Sequence, residues 1–112
     1  MKKIEAIIRP EKLESVQRAL EKVGYSGLMI SEIEGHGKQK GIVQQWRGEK
    51  YKVELLPKIK IEIIVKDDEV ERIIKTIVDS AKTGEIGDGK IFISPVENAV
   101  RIRTGEKGEQ AI

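Results

Sequence analysis

A repeat with an offset of 57 residues is the feature that most limits how this 112-residue chain can fold. The tripeptide Lys3–Glu5 recurs as Lys60–Glu62, and the apolar positions 13, 16 and 20 recur at 70, 73 and 77. In each half, alternating apolar residues typical of a strand are followed by apolar residues at helical spacing. The chain therefore contains two copies of one unit, and each copy begins with a strand and continues into a helix.

Hydrophobic periodicity also predicts where the elements lie. It predicts strands over residues 4–8, 28–33, 59–65 and 91–93, a short fifth strand at 100–102, and helices over 13–23 and from 67 or 68 to 81. Gly24 is placed to end the first helix, and Asp67 or Asp68 is placed to cap the second. Two β-α-β units in tandem form an α+β domain with the ferredoxin-like βαββαβ arrangement, in which both helices cover one face of an antiparallel sheet.

The other face of such a sheet has no helices to cover it. Residues 6–8 and 63–65 are apolar without interruption, which indicates strands that are buried on both faces. A second copy of the chain would cover the open face, so we expect a homo-oligomer. The length favours a single domain over residues 1–112, because two domains would each lack a sufficient core.

Composition excludes most familiar catalytic machinery. The chain has no cysteine and one histidine, His36, so it offers no disulfide, no thiolate zinc site, no cysteine nucleophile and no histidine pair. A formal net charge of +2 is far from the basic character of a nucleic-acid binder. No apolar run approaches the ~20 residues of a membrane span, and the charged start Met1–Lys3 does not resemble a signal peptide. We therefore expect a cytoplasmic protein that does not bind nucleic acid.

The periodicity disappears between Gly35 and Pro57, a link much longer than a hairpin needs. Residues 37–55 hold five basic and two acidic residues together with the tryptophan of the chain, Trp46. Long links in compact domains are usually functional or disordered, so a solvated mobile insertion is one interpretation. An exposed aromatic residue next to Arg47 fits a binding hot spot for a partner better.

Three clusters of glycine and cationic residues are candidates for binding an anion. Gly84–Lys90 matches the pattern G-x-x-x-x-G-K, but Ile91 replaces the Ser or Thr of a P-loop and the segment runs from helix to strand. Its glycines and lysine suit an anion, although a simple helix-to-strand turn explains the glycines equally well. Gly35–Gly41 is the second cluster. Arg101 and Arg103, two apart on the predicted fifth strand, would form a clamp on one face or occupy an ordinary solvent-facing edge.

Along its full length the chain resembles the PII nitrogen-regulatory signal-transduction proteins. The matching motifs are Ile4–Pro10 with Lys12 and Leu13, Gly35-x-Gly37-x-Gln39-Lys40-Gly41, Leu56–Glu62, Thr83–Phe92 and Arg101–Glu106. The resemblance implies a compact homotrimer with a nucleotide site in each cleft between neighbouring subunits, where ATP or ADP binds and 2-oxoglutarate joins magnesium-ATP. It also implies three loops: the T-loop (37–55), the B-loop (82–90) and the C-terminal loop (101–112).

The resemblance also assigns site residues by position. Those around the nucleotide would be Ile7, Met29, Gly35, Gly37, Lys38, Gln39, Glu62, Ile64, Gly87, Asp88, Gly89, Lys90, Arg101 and Arg103. Those around 2-oxoglutarate would be Gln39, Lys40, Gly41, Lys58 and Gly87, and Gln39 would also bind magnesium. A partner would contact Trp46, Arg47 and Gly48, and Tyr51 would be the candidate for uridylylation.

Three positions depart from the usual residues of that family. Lys38 stands where arginine is common, which keeps the charge but loses the bidentate fork. Met29 stands where a small hydroxyl residue is frequent, so one polar contact near the nucleotide is lost. Glu49 occupies the position of a phosphorylated serine and excludes that modification.

The function implied by the resemblance is that of a non-enzymatic sensor. Nucleotide and 2-oxoglutarate would set the conformation of the T-loop, which would engage an ammonium transporter at the inner face of the membrane or a nitrogen-assimilation enzyme. Two other classes fit the residues: a small ATPase that uses Lys90 and the arginines, and a ferredoxin-like RNA-binding module. The RNA-binding class ranks last, because such sheets stack bases on aromatic residues and this chain has four.

Overall fold

Both halves of the repeat fold into the strand and helix that the periodicity predicts. A computed structural model describes the backbone of residues 1–36, 42–46, 49–53 and 55–112 and the side chains of residues 1–34 and 56–112. Within these residues the strands are β1 (Lys2–Ile8), β2 (Met29–His36), β3 (Ile42–Trp46), β4 (Glu49–Val53), β5 (Leu55–Val65) and β6 (Gly89–Pro95). The helices are α1 (Leu13–Lys22) and α2 (Val70–Ala81), each preceded by a single 3-10 turn.

Four of the strands form one antiparallel sheet in the order β2-β5-β1-β6. The first strands of the two halves, β1 and β5, lie side by side at its centre, with Glu5 opposite Glu62. β2 pairs with the outer side of β5, and β6 pairs with the outer side of β1. This is the ferredoxin-like βαββαβ arrangement, so the predicted α+β fold class is confirmed.

Alternation along the two central strands places one set of apolar side chains against the helices. The buried members are Ile4, Ala6 and Ile8 on β1, Ile59, Ile61, Ile63 and Val65 on β5, Val16 and Leu20 on α1, and Ile73, Ile77 and Ala81 on α2. They meet because strand side chains repeat every two residues and helix side chains every 3.6 residues, so each element presents one apolar side. Neither helix in the described part of the chain is long and apolar enough to cross a membrane.

The first helix ends as its glycine predicts. Gly24 has a φ of +94°, in the left-handed region that favours glycine. Its N–H donates to the Glu21 carbonyl at 3.0 Å, and the Tyr25 N–H donates to the Leu20 carbonyl at 2.9 Å. These two bonds form a Schellman motif, which satisfies carbonyl groups that the end of the helix leaves without helical partners.

The predicted cap of the second helix is wrong. Asp67–Glu69 forms the 3-10 turn, α2 begins at Val70, and neither Asp67 nor Asp68 makes a capping hydrogen bond. The Asp67 carboxylate instead lies 2.9 Å from the α-ammonium group of Met1. Because a full positive charge binds a carboxylate more strongly than a backbone N–H does, the ion pair takes the side chain that the pattern assigned to a cap.

The segment that lacks hydrophobic periodicity contains a second, two-stranded sheet. β3 and β4 pair as an antiparallel hairpin, with Ile42 opposite Val53 and Trp46 opposite Glu49. Hydrophobic periodicity therefore fails to predict the strands at residues 42–46 and 49–53.

β5 also begins earlier than predicted, at Leu55 instead of after Pro57. The pairing of β5 with β1 starts only at Ile59, which stands opposite Ile8. At residue 57 the strand therefore has β2 as a neighbour on one side and none of the main sheet on the other. A proline is tolerated there because its missing N–H removes no bond to β1.

The predicted fifth strand at residues 100–102 does not form. Val100 makes a single bridge with Lys107, and the chain turns between them. The Arg101 N–H donates to the Glu106 carbonyl at 2.8 Å, and the Gly105 N–H donates to the Arg101 carbonyl at 2.7 Å. Gly105 has a φ of +72°, so this glycine reverses the chain where the apolar alternation suggested a strand.

The sheet face without helices is only partly apolar. The Lys3 ammonium group lies 2.8 Å from the Glu5 carboxylate and 3.9 Å from that of Glu62, and Lys60 lies 3.4 Å from Glu62. The hydrogen bond from Lys3 lowers the pKa of Glu5. The uninterrupted apolar runs predicted a face suited to burial, but the centre of this face is ionic. Cover by further subunits stays a prediction.

Candidate functional site

A cavity of about 270 Å³ opens where β1, β6 and the end of α2 meet. Apolar side chains, two lysines and part of the B-loop line it: Ile7, Ile8, Ile77, Val78, Ala81, Lys82, Asp88, Gly89, Lys90 and Ile91. Four of these, Ile7, Asp88, Gly89 and Lys90, are residues that the sequence analysis assigns to the nucleotide. An apolar lining with two cationic side chains suits a ligand that joins an apolar part to an anionic one.

Asp88 organises the B-loop by accepting hydrogen bonds from the residues that lead into it. Its Oδ2 accepts the N–H groups of Thr83 and Gly84, each at 2.9 Å, and its Oδ1 accepts the Thr83 hydroxyl. Thr83 Oγ1 in turn accepts the Glu85 N–H at 3.1 Å. The Asp88 carboxylate therefore stabilises the turn between α2 and β6, the loop to which it belongs.

Two cationic residues, one directly after β1 and one on β5, donate hydrogen bonds to the B-loop. Arg9 Nε donates to Asp88 Oδ1 at 3.0 Å, and Arg9 Nη2 donates to the Ile86 carbonyl at 2.9 Å. Lys58 Nζ donates to the Gly87 carbonyl at 2.8 Å. The loop is therefore tied to β5 and to the end of β1 by three charge-assisted bonds.

Lys58 is a buried cation at this end of the sheet. The residue is 7% exposed, and burial lowers the pKa of its ammonium group, with the charge of Arg9 as the second cause. Its bond to the Gly87 carbonyl joins two of the five residues that the resemblance assigns to 2-oxoglutarate. The structure thus brings Lys58 and Gly87 together, near the start of β5 and beside the B-loop.

Gly89 lies directly against β1. A Cβ at this position would stand 1.7 Å from the Ile7 carbonyl oxygen, and the residue has a φ of +104°. Both observations require glycine, because a side chain would collide with backbone and would also disfavour the φ angle. The missing side chain lets the B-loop lie against β1 beside the cavity.

Asp88 also makes the stability of this loop depend on pH. Hydrogen bonds from Thr83 hold the pKa of Asp88 far below its usual range, and the bonds from Arg9 and Gly84 act in the same direction. A depressed carboxyl pKa stabilises the folded state above the unfolded-state pKa, and this contribution is lost as the pH falls through the folded-state pKa.

We therefore expect the free energy of unfolding of the wild type to fall more steeply with acidification below about pH 5 than that of Asp88→Asn. The variant lacks the titrating group, so its remaining acid sensitivity comes from other carboxylates. Urea unfolding of both proteins at a series of pH values, followed by circular dichroism, measures the two slopes. Parallel slopes would contradict the assignment of this pH dependence to Asp88.

The open sheet face carries further residues that the resemblance assigns to the nucleotide, on three strands. Met29 of β2 stands opposite Glu62 of β5, and Ile64 is the next residue of β5 on that face. Ile7 of β1 stands opposite Lys90 of β6. Within one chain, Ile7 therefore joins the B-loop residues, whereas Met29, Glu62 and Ile64 lie further along the sheet.

The arginines of the C-terminal loop do not form the clamp predicted from strand geometry. Residues 102–104 are a turn, so alternation does not place the two guanidinium groups on one face. Arg101 Nη1 lies 2.8 Å from Glu106 Oε1, and Arg101 Nη2 donates to the Gln110 carbonyl at 2.8 Å. Arg103 is exposed. Arg101 is thus bonded within its own loop.

Seven of the assigned residues lie outside the described part of the chain: Gly37, Lys38, Gln39, Lys40, Gly41, Arg47 and Gly48. The backbone places Gly35, Trp46 and Tyr51 on β2, β3 and β4. The magnesium assignment rests on Gln39 and stays a prediction. Among the side chains that are described, no three carboxylate or imidazole groups lie together as ligands for a metal ion.

The sequence motifs include Arg9 and Thr83 but assign neither a role. Both prove to be partners of Asp88. One signal was available for Thr83, because a hydroxyl residue that follows a helix and precedes an aspartate in a glycine-rich turn commonly caps that turn. No local signal points to Arg9, since its partners are 77 and 79 residues away.

Comparison with known proteins identifies the family of the chain. The family model described as Nitrogen regulatory protein P-II matches residues 1–106. Nitrogen regulatory protein P-II 2 of Methanothermobacter thermautotrophicus is 57% identical over 112 residues, covering 100% of this chain and 97% of that protein. The proteins named Nitrogen regulatory protein P-II of Azospirillum brasilense and Microchaete diplosiphon are 56% and 55% identical over 100% of both chains. These relatives are named as regulatory proteins rather than enzymes, and the chain belongs to the nitrogen regulatory protein P-II family, as the resemblance predicted.

Proposed function

We propose that this P-II chain is a cytoplasmic sensor that binds ATP or ADP through its B-loop and 2-oxoglutarate beside the nucleotide. The observation that carries the proposal is the B-loop, held together by Asp88 and placed with Lys90 beside an apolar cavity. Glycines allow backbone N–H groups to approach a phosphate, and an ammonium group adds a point charge. The less polar part of the nucleotide would lie on the open sheet face beside Ile7, which stands opposite Lys90.

We propose that the complete site forms between subunits of a homotrimer. Those assigned nucleotide residues that the structure describes fall into separate groups at the B-loop, along the open sheet face and in the C-terminal loop. A neighbouring subunit would bring Arg101 and Arg103 to this B-loop. Apolar surface for such a contact is available, since Ile102 is 100% exposed and Phe92 and Ile93 on the edge strand β6 are also exposed.

2-Oxoglutarate would bind where Lys58 meets the B-loop. The ammonium group of Lys58 donates to the Gly87 carbonyl at 2.8 Å, and a carboxylate is a stronger acceptor than a carbonyl. The effector would therefore compete for Lys58 and act on the B-loop directly. Because binding linkage is reciprocal, the bound nucleotide would in turn alter the affinity for 2-oxoglutarate. Gln39, at the start of the T-loop, is the proposed ligand of magnesium.

The T-loop would carry the output of the sensor. Its strands β3 and β4 form a hairpin that is not part of the main sheet, and Arg47 and Gly48 connect them in the sequence. With Trp46 they would contact an ammonium transporter at the inner face of the membrane or a nitrogen-assimilation enzyme. Tyr51 on β4 is the proposed position of uridylylation.

Nucleotide titration tests the sensor function. ATP or ADP at 100 times its Kd should raise the free energy of unfolding by about 2.7 kcal/mol, and Lys90→Ala should lose most of that gain. Lys75→Ala is a matched control, because it removes a lysine that pairs with Asp79 on the exposed side of α2.

Calorimetry should show 2-oxoglutarate binding with magnesium-ATP and none with ADP. A wild type that neither nucleotide stabilises would reject the function.

A further inference from the structure

We propose that Arg9 is a positioning residue of the phosphate-binding B-loop and acts through Asp88 and the Ile86 carbonyl rather than by touching the ligand. The inference rests on the proposed nucleotide-binding function and concerns a residue to which the family resemblance assigns no role. Arg9 follows β1 directly and is 79 residues from Asp88. The B-loop and β1 are thus joined by a contact between distant parts of the chain.

The guanidinium group of Arg9 bonds two different parts of the loop. Its Nε donates to Asp88 Oδ1 at 3.0 Å, and its Nη2 donates to the Ile86 carbonyl at 2.9 Å. The Arg9 side chain is 13% exposed and that of Asp88 is 25% exposed, so water screens this pair less than it screens a surface pair. Because the guanidinium group is planar and rigid, the two bonds together fix the orientation of the Ile86 carbonyl relative to Asp88.

Fixing the carbonyl groups of Ile86 and Gly87 also fixes the direction of two N–H donors. The peptide bonds are trans, and in a trans peptide the C=O and N–H groups point in opposite directions. The Ile86 carbonyl points at Arg9 and the Gly87 carbonyl points at Lys58. The N–H groups of Gly87 and Asp88 belong to the same two peptide groups, so they point away from the two cations. Two successive N–H groups held in this way could bind an anion together.

Asp88 extends this arrangement to the start of the loop. Its other oxygen accepts the N–H groups of Thr83 and Gly84 at 2.9 Å each. Arg9 therefore completes a series of bonds that runs from the end of α2 through Asp88 to the end of β1. Its charge is largely balanced by the Asp88 carboxylate, which makes it a poor candidate for a direct phosphate ligand.

Removing Arg9 should lower the population of the binding-competent loop. Gly87 has a φ of +104°, and as a glycine it can adopt many other conformations once the Ile86 carbonyl is released. The apparent Kd of a ligand rises by the inverse of the competent fraction. We expect Arg9→Ala to raise the Kd for both ATP and ADP by about tenfold, within the range for coupled neighbours. Arg9→Lys, which keeps the charge but cannot make both bonds, should have an intermediate Kd.

A double-mutant cycle separates positioning from direct contact. If Arg9 acts through Asp88 as well as through the Ile86 carbonyl, then Arg9→Ala should raise the Kd for ATP by a smaller factor in an Asp88→Ala background than in the wild type. If Arg9 contacts the phosphates itself, the two factors should multiply, and that result would overturn the inference. Arg18→Ala is the matched control, since Arg18 pairs with Glu14 on the exposed side of α1 and should leave the Kd unchanged.

Amide hydrogen exchange without nucleotide keeps the inference distinct from the proposed function. In Arg9→Ala the amides of Thr83 and Gly84, which donate to Asp88, should exchange about tenfold faster, whereas the amide of Ala6 in β1 should be unaffected. Unchanged exchange at Thr83 and Gly84 would reject the role of Arg9 even if the wild type binds ATP. A wild type that binds neither ATP nor ADP would reject the sensor function and the phosphate-positioning role with it.

Discussion

Gly89→Ala is expected to lower the free energy of unfolding by at least about 3 kcal/mol and to abolish nucleotide stabilisation. The new Cβ would stand 1.7 Å from the carbonyl oxygen of Ile7, so β6 would have to move away from β1 at its first residue. The φ of +104° adds backbone strain, because side chains disfavour this region. The displaced residue is also part of the B-loop, so stability and binding should be lost together.

Two other glycines separate the contributions of collision and strain. Gly84 has a φ of +90° but open space around its Cβ position, so Gly84→Ala should cost about 1 to 2 kcal/mol from strain alone. Gly27 has open space and no left-handed φ, so Gly27→Ala should be within about 0.5 kcal/mol of the wild type. Urea unfolding at one protein concentration compares the three variants. Equal losses in Gly89→Ala and Gly84→Ala would show that β6 relieves the collision easily.

The parts of the fold that could be predicted depend on neighbours in sequence. The alternation in Lys3–Ile8 and the helical spacing of Leu13, Val16 and Leu20 each act within a few residues, and both were predicted correctly. Gly24 was also predicted correctly, because a left-handed residue at the end of a helix is a local requirement. The repeat then determined how the two units combine, since it made β1 and β5 equivalent strands.

The errors arise where a distant group or a nearby turn competes with the local pattern. The local pattern predicts Asp67 as a helix cap. That prediction is wrong because the actual partner of its carboxylate, the α-ammonium group of Met1, lies far away in sequence. Val100 and Ile102 alternate like strand residues, but the turn closed at Gly105 prevents a strand. For the hairpin of β3 and β4 a signal existed, because two five-residue runs are separated by two residues that include a glycine.

The candidate site shows the same division. Gly87, Gly89 and Lys90 can be proposed as anion-binding residues from the sequence, because glycines and a lysine next to one another form a recognisable pattern. The chemical role of Asp88 could not be read in that way, since Arg9 reaches it across 79 residues. The pattern therefore located the B-loop, while only the tertiary structure shows what gives the loop its shape.

Ile61→Ala is expected to lower the free energy of unfolding by about 2 to 5 kcal/mol while leaving the ligand-binding side chains in place. Ile61 is 0% exposed at the middle of β5, opposite Ala6 of β1 and Ile30 of β2. Removing three carbons there leaves a cavity between the sheet and the helices, and the loss combines transfer free energy with unfilled space.

The size and location of this effect can be checked with a graded series. Ile61→Val removes one methylene group and should cost about 1 kcal/mol, whereas Ile86→Ala, at an exposed position of the B-loop, should change the stability by less than about 0.5 kcal/mol. Ile61 points to the helices, while Lys60 and Glu62 point to the open face. The Kd for ATP of folded Ile61→Ala should therefore stay within about twofold of the wild type, unlike that of Gly89→Ala. A large rise in the Kd for ATP would show that ligand binding on the open face depends on the packing between the sheet and the helices, because the Ile61 side chain lies on the opposite face.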